Sequence, residues 1–286
     1  MVGSYVPDVF TDYELVLTDV AAGFLSLDVR DPAAVRAAMA DLRPDVVLHL
    51  AAATDVDRCE QEPDWAFHSN AIGTHNVALA CQAAAVPLVY VSTGAVFAGD
   101  KLEPYIEFDV PRPANVYGVS KLAGEQAVAA LLQRYYIVRA GWMFGGGGRD
   151  TKFVGKIVRL ILEGRTRLEV VDDKVGSPTY AKDLLGAVRS LLDTGWYGLY
   201  HVANAGACTR LQMALALRDV LGRGDVTIAP VSSARFPLPA PRGRSEALRN
   251  LKLELLGMKV RRWEEALHEY VTTALLQGLS GAPGER

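Results

Sequence analysis

Tyr117 and Lys121 stand four residues apart in the run Asn115-Val116-Tyr117-Gly118-Val119-Ser120-Lys121. On a helix that spacing puts both side chains on one face, about one turn from each other. A phenol ordinarily titrates near ~10 and is a poor acid–base group at neutral pH. A neighbouring ammonium favours the phenolate and draws its pKa towards the working range, so the pair suits proton transfer. Tyr-x-x-x-Lys also arises by accident on amphipathic helices, and a second feature has to support it. That feature is the run Pro87-Leu88-Val89-Tyr90-Val91-Ser92-Thr93. Its β-branched, apolar character reads as a buried parallel strand with Ser92 and Thr93 at the carboxyl end. Ligands of open α/β sheets bind at that end. Ser and Thr also close strands merely to begin turns, but beside Tyr-x-x-x-Lys their hydroxyls are placed to hold a substrate oxygen during proton exchange.

The elements that must position these residues alternate. Glu14 to Thr18 reads as a strand ending at Asp19, Pro32 to Leu42 as a helix started by Asp31 and Pro32, and Pro44 to Leu50 as an apolar strand. Pro63 to Ala85 reads as a long alanine-rich helix, followed by the Leu88 strand, the Tyr117 helix and a strand at Tyr135 to Arg139. This βαβ rhythm predicts a doubly wound, Rossmann-like parallel sheet. Residues 1–145 would form the dinucleotide-binding part. Residues 146–286 would form a smaller, mixed substrate-binding part with some segments returning to the sheet. It contains short strands at Leu168–Val171 and Val226–Ile228, an extended loop at Phe236–Pro241 and a closing helix at Trp263–Leu276.

Composition bounds the possibilities. A chain of 286 residues, 50% hydrophobic, can bury a sizeable core as one large domain or two coupled ones. A net charge of −3 leaves no electrostatic footprint for nucleic acid. No apolar run approaches the ~20 residues of a membrane span, and the first residues lack the pattern of a signal peptide. Cys59, Cys81 and Cys208 lie far apart and match no metal spacing. The expectation is a soluble cytoplasmic protein of a reducing compartment, with no metal.

The start is unusual. A dinucleotide-binding sheet opens with a strand and a glycine-rich turn, whereas Met1-Val2-Gly3-Ser4 begins as though already inside that turn. Gly3 would be the last glycine of the fingerprint. The missing strand would be central, leaving a gap in the sheet rather than a ragged edge. Either the start is assigned too far downstream or truncated, or ordinary cofactor binding has been lost.

With these residues laid out, the chain resembles the dTDP-4-dehydrorhamnose reductase family of the extended short-chain dehydrogenase/reductase superfamily. The likeness runs from Gly3 to the Trp263 helix. It is carried by Arg43-Pro44-Asp45-Val46-Val47-Leu48-His49-Leu50-Ala51-Ala52-Ala53-Thr54, by Asp57-Arg58-Cys59-Glu60, and by Ser69-Asn70-Ala71. Pro104-Tyr105, Gly141-Trp142-Met143-Phe144-Gly145 and Asp173-Lys174-Val175-Gly176-Ser177-Pro178-Thr179 extend it. Each segment is weak singly; their order and spacing make them strong together.

The resemblance implies that Thr93, Tyr117 and Lys121 are catalytic. Tyr117 would give a proton to a ketone oxygen as hydride arrives from NADH or NADPH, with Thr93 bonding the same oxygen. Lys121 would tune the phenol and hold the nicotinamide ribose. Cofactor contacts would come from Gly3, Asp19, Asp28, Val29, Ala51, Ala52, Thr54 and Asn70 besides Tyr117 and Lys121. Asp19 would accept from an adenosine ribose hydroxyl, although a plain turn residue accounts for it equally well. Trp142 would wall the substrate site, and Arg242 and Arg244 would meet the substrate diphosphate. An ordinary solvated basic loop explains the two arginines just as well.

Three departures from the family pattern stand out. Gly94-Ala95 replaces Asp-Tyr, Ala53 replaces a tyrosine, and Arg242-Gly243 replaces Arg-Pro. They leave reductase chemistry open and put the particular sugar in doubt. The implied function is NAD(P)H-dependent reduction of dTDP-4-dehydro-L-rhamnose. The alternatives are a nucleotide-sugar epimerase or dehydratase of the same superfamily, or a catalytically silent regulatory subunit. The implied partners are a nucleotide sugar and a second copy of the chain in a homodimer, with neither nucleic acid nor membrane.

Overall fold

The structure, a computed structural model, describes residues 1–280. A 3-10 turn at Val2–Tyr5 runs into α1 (Val6–Val9), where Pro7 occupies an early position that needs no N–H donor. The short strands β1 (Thr18–Asp19) and β2 (Leu25–Ser26) pair in parallel. Asp31 caps α2 (Pro32–Leu42), its carboxylate accepting from the Ala33 and Ala34 N–H groups. Next come β3 (Val47–His49), α3 (Val56–Gln61) and α4 (Pro63–Phe67). A π turn at His68–Ile72 joins α4 to α5 (Gly73–Ala84), so the expected long helix is one rod with a bulge in it. The βαβ alternation then continues through β4 (Leu88–Thr93), α6 (Val116–Leu131) and β5 (Tyr135–Ala140).

The second half starts with β6 (Trp142–Phe144), α7 (Phe153–Leu162), β7 (Arg167–Val171), β8 (Val175–Gly176) and β9 (Pro178–Tyr180). The chain then returns to the main sheet through α8 (Ala181–Thr194) and β10 (Gly198–His201). Next are β11 (Cys208–Thr209), α9 (Arg210–Val220), β12 (Thr227–Val231) and β13 (Ser245–Glu246). Phe236 to Pro241 forms neither helix nor strand. The end consists of α10 (Leu251–Leu255), α11 (Trp263–Glu269), a π segment at Tyr270–Leu275 and α12 (Leu276–Ser280).

The main sheet has the order β10-β5-β4-β3, all parallel. Its alternation sorts two cores. Leu88, Tyr90 and Ile137 bury with Val35, Val77 and Val128 from α2, α5 and α6. Val89, Tyr136 and Val138 point the other way, into the cluster that holds Tyr5, Phe10, Leu184 and Val188. The period of two in a strand thus divides one apolar run between helical layers on both faces.

The sheet is in two pieces. β1 pairs only with β2, and β3 pairs only with β4. Of the expected strand from Glu14, only Thr18 is paired; Leu15, Val16 and Leu17 stay exposed at the rim of a cavity lying between the two pieces. That cavity has a volume of about 1870 Å³ and runs on to the carboxyl ends of β3 and β4.

The three cysteines are buried thiols. Among the described residues no helix is long and apolar enough to cross a membrane, and no cluster of side chains could hold a metal ion.

A buried ion pair ties α6 to β5. Arg139 donates from Nε to Glu125 Oε1 at 2.9 Å and from Nη2 to Glu125 Oε2 at 2.6 Å, with the side chains 3% and 4% exposed. Ser92 Oγ donates to the same Oε1 at 2.5 Å. Removing one member leaves a charge buried without a partner. Glu125→Ala should therefore lower the unfolding free energy by about 3–5 kcal/mol in a urea titration.

Candidate active site

The helix that carries Tyr117 and Lys121 is set by its cap and its glycines. Asn115 caps α6 by accepting from the Gly118 N–H at 2.9 Å, while its Nδ2 donates to the Pro241 carbonyl at 3.0 Å. Gly118 is a steric requirement, because a Cβ there would overlap the Ala95 carbonyl oxygen. Gly124, two turns on, lies against the Tyr90 ring, where a Cβ would overlap the hydroxyl. These two close approaches bring the first turns of α6 onto β4 and the loop after it.

Tyr117 and Thr93 meet as a result. Thr93, at the carboxyl end of β4, lies near enough to Tyr117 for its hydroxyl to favour the phenolate, and its Oγ1 accepts from the Ala95 N–H at 3.1 Å. Burial pushes the Tyr117 phenol up to about 12, with the Thr93 hydroxyl opposing and the charge of Glu246 adding to the rise. Lys121 is 2% exposed; its Nζ donates to the Val91 carbonyl at 2.8 Å and lies 4.1 Å from the centroid of the Tyr90 ring. Burial draws its pKa down to about 7, against the favourable charge of Glu125. The sequence predicts a phenol lowered by the lysine. In the structure desolvation dominates both groups, and the ammonium is directed at the strand carbonyl.

Tyr117, Lys121 and Thr93 all line the large cavity, as do Gly3, Asp19, Asp28, Val29, Ala51, Ala52 and Thr54. Asp19 is exposed at the end of β1, with Oδ1 accepting from the Ala21 N–H. Asp28 is engaged by Arg30 through a two-pronged ion pair, which holds its carboxyl below the usual range. Asn70 is set back from the cavity. It brackets Ala53, accepting from its N–H at 2.8 Å and donating to its carbonyl at 3.0 Å, and also donates to Ser120 Oγ. It thereby fixes the alanine turn against α6. A continuous trough of small side chains from Asp19 to Lys121 fits a dinucleotide: a carboxylate at one end, backbone accessible beside Ala51 and Ala52, and the phenol and ammonium at the other.

On the opposite side the cavity is lined by Trp142, Lys174, Val175, Arg210, Arg242 and Glu246. Trp142 Nε1 donates to Glu246 Oε2 at 3.0 Å. Arg242 also lines the cavity, yet its guanidinium is engaged by Asp57 Oδ1 at 3.0 Å and the Ala240 carbonyl at 2.7 Å. Arg244 is exposed and does not line the cavity. Arg210 and Glu246 escape sequence reasoning. The one signal near Arg210 is the Thr209–Gln212 capping box, which marks a helix start and not a ligand, and Glu246 sits in a stretch with no pattern.

Comparison with known proteins decides the family. The description "RmlD substrate binding domain" matches residues 2–276. The chain belongs to that family. It is 41% identical over 252 residues to a dTDP-4-dehydrorhamnose reductase of Mycolicibacterium smegmatis, covering 87% of this chain and 76% of that protein. The fold is similar to the crystal structure of a dTDP-4-dehydrorhamnose reductase from Yersinia enterocolitica, with a TM-score of 0.88, 38% identity and 96% of each chain covered. A Bacillus anthracis dTDP-4-dehydrorhamnose reductase in complex with NADP matches with a TM-score of 0.82 and 40% identity over 86% of each chain. The α/β architecture with parallel sheets expected from the sequence is thus that of a reductase family.

Two buried histidines give this region a pH signature. His49, bonded to Thr74 Oγ1 at 3.1 Å and stacked on Tyr90, is lowered to about 3 by burial and by Lys121. His201 is likewise lowered to about 3, by burial and by Arg139. Their ordinary value is 6.5, so the unfolded chain takes up these protons first as pH falls. Stability from both is complete above 6.5 and is lost progressively towards about 3. Acidification from about pH 7 to about pH 5 should cost roughly 2 kcal/mol for each ring. Urea unfolding of His49→Gln and His201→Gln should show a correspondingly smaller pH dependence.

Proposed function

We propose that the chain reduces the 4-keto group of a dTDP-linked 6-deoxy sugar, with dTDP-4-dehydro-L-rhamnose as substrate, dTDP-L-rhamnose as product and NADH or NADPH as reductant. The observation that carries the proposal is that Thr93, Tyr117 and Lys121 line one cavity of about 1870 Å³ at the carboxyl end of β4. Family membership and the reductase relatives support it.

When bound, the nicotinamide supplies the hydride to the carbonyl carbon. Tyr117 and Thr93 would both hydrogen-bond the carbonyl oxygen, which orients the ketone and polarises it. As charge develops on that oxygen, Tyr117 would give up its proton, so the carbon gains a hydride and the oxygen a proton. A phenol held at about 12 keeps its proton at neutral pH, which is the state a proton donor needs before reaction. Lys121, one turn along α6, would stabilise the phenolate left behind until solvent returns a proton. Asp19 would bond the adenosine ribose, and the Ala51–Ala52–Thr54 turn would lie against the cofactor backbone.

The test is steady oxidation of NADPH in the presence of dTDP-4-dehydrorhamnose; an epimerase would show no net consumption. Tyr117→Phe should lower kcat by about 10²- to 10⁴-fold while leaving calorimetric NADPH affinity nearly unchanged. Lys121→Ala should harm both. Near-normal turnover in Tyr117→Phe would sink the mechanism.

A further inference from the structure

Arg210, the first residue of α9, is placed in an unusual way for a guanidinium. Its Cζ lies 3.6 Å from the centroid of the Trp142 ring and 4.8 Å from that of Phe153. Gly176 also packs closely on the Trp142 ring, where a Cβ would overlap the six-membered ring. The indole edge is fixed as well, by the bond from Nε1 to Glu246 Oε2. Beside the expected indole wall, the cavity therefore also meets a stacked guanidinium.

That guanidinium is unspent. Among the described residues it makes no hydrogen bond and no ion pair, although it carries five N–H donors in a planar fork. Burial lowers its pKa to about 10, opposed by the charge of Glu246, so an added anion would be favoured there. Three other cations of the cavity wall are less suited. Arg242 is held by Asp57 and Ala240, Lys174 donates from Nζ to the Arg242 carbonyl at 2.9 Å, and Lys152 is exposed with no aromatic face to fix it. Glu246 acts electrostatically on both the Tyr117 phenol and the Arg210 guanidinium, which puts both within reach of one ligand. Tyr117, Glu246 and Arg210 line the same cavity, so a sugar whose ketone met Tyr117 would have Arg210 available to the diphosphate that follows the ring.

We propose that Arg210 holds the diphosphate of the nucleotide sugar, its planar donors clasping phosphate oxygens while Trp142 and Phe153 fix its plane. Stacked arginine is well suited to this task, because little side-chain freedom remains to be lost when the phosphate binds. The inference rests on the nucleotide-sugar reading of the cavity.

The test is a calorimetric titration of the full chain with dTDP and with thymidine, in the parent and in Arg210→Met and Arg210→Lys. The methionine variant should bind dTDP at least about tenfold more weakly, with thymidine and NADPH affinities unchanged. Arg210→Lys should fall between, keeping the charge without the fork. In turnover, the KM for dTDP-4-dehydrorhamnose should rise by more than kcat falls. Equal losses for dTDP and thymidine would mean that Arg210 only shapes the pocket and would overturn the proposal. So would dTDP binding by Arg210→Met within about twofold of a parent that does reduce the sugar. A parent that neither reduces the sugar nor binds dTDP would overturn the nucleotide-sugar reading itself, and this inference with it.

Discussion

Two glycines let α6 come close enough to β4 for the site to exist. At Gly118 the helix lies against the Ala95 carbonyl, and at Gly124 against the Tyr90 hydroxyl. A methyl group at either position would push the helix off the strand. The distance between Tyr117 and Thr93 belongs to this interface and not to either residue's own neighbourhood. So does the reach of Lys121 to the Val91 carbonyl, which spans from helix to strand. Packing at this density transmits any displacement straight to the polar groups.

Polar groups below the site hold that interface in register. Glu125 receives Arg139 from β5 and Ser92 from β4, so a single carboxylate joins one helix to two strands. Its charge also favours the ammonium of Lys121, which burial would otherwise strip more easily of its proton. Asn70 does the equivalent on the cofactor side, tying the Ala53 turn to Ser120 of α6. Helix α6 is thus anchored both to the sheet beneath it and to the turn that would face a dinucleotide.

The cavity owes its length to the divided sheet. β1 and β3 are separate edges, and the trough between them joins the space above β4 and β5. On the far side the second half of the chain contributes a wall unlike the one expected. Trp142 carries the Arg210 guanidinium on its ring and is bonded to the Glu246 carboxylate at its edge.

The sequence by itself determined the alternating architecture and the catalytic helix. Asp31 and Asn115 are local caps, the Leu88–Thr93 run is a local pattern, and Tyr117 and Lys121 are separated by one helical turn. Each signal lies within a few residues, so short-range physics was enough to read it. The same locality let the hydroxyls at the end of β4 be picked out. The tertiary structure decided what depends on distant groups meeting. The Tyr117 pKa was misjudged because desolvation is set by everything packed around the phenol, and Lys121 is only one neighbour. Asn70 proved to be a brace because its partners, Ala53 and Ser120, are 17 and 50 residues away. Arg210 and Glu246 carried no local pattern, and only the folding of α9 and β13 onto Trp142 brings their charges to the cavity. Arg242 and Arg244 show the converse: two residues apart and alike in charge, they are separated by burial and pairing that no local spacing records.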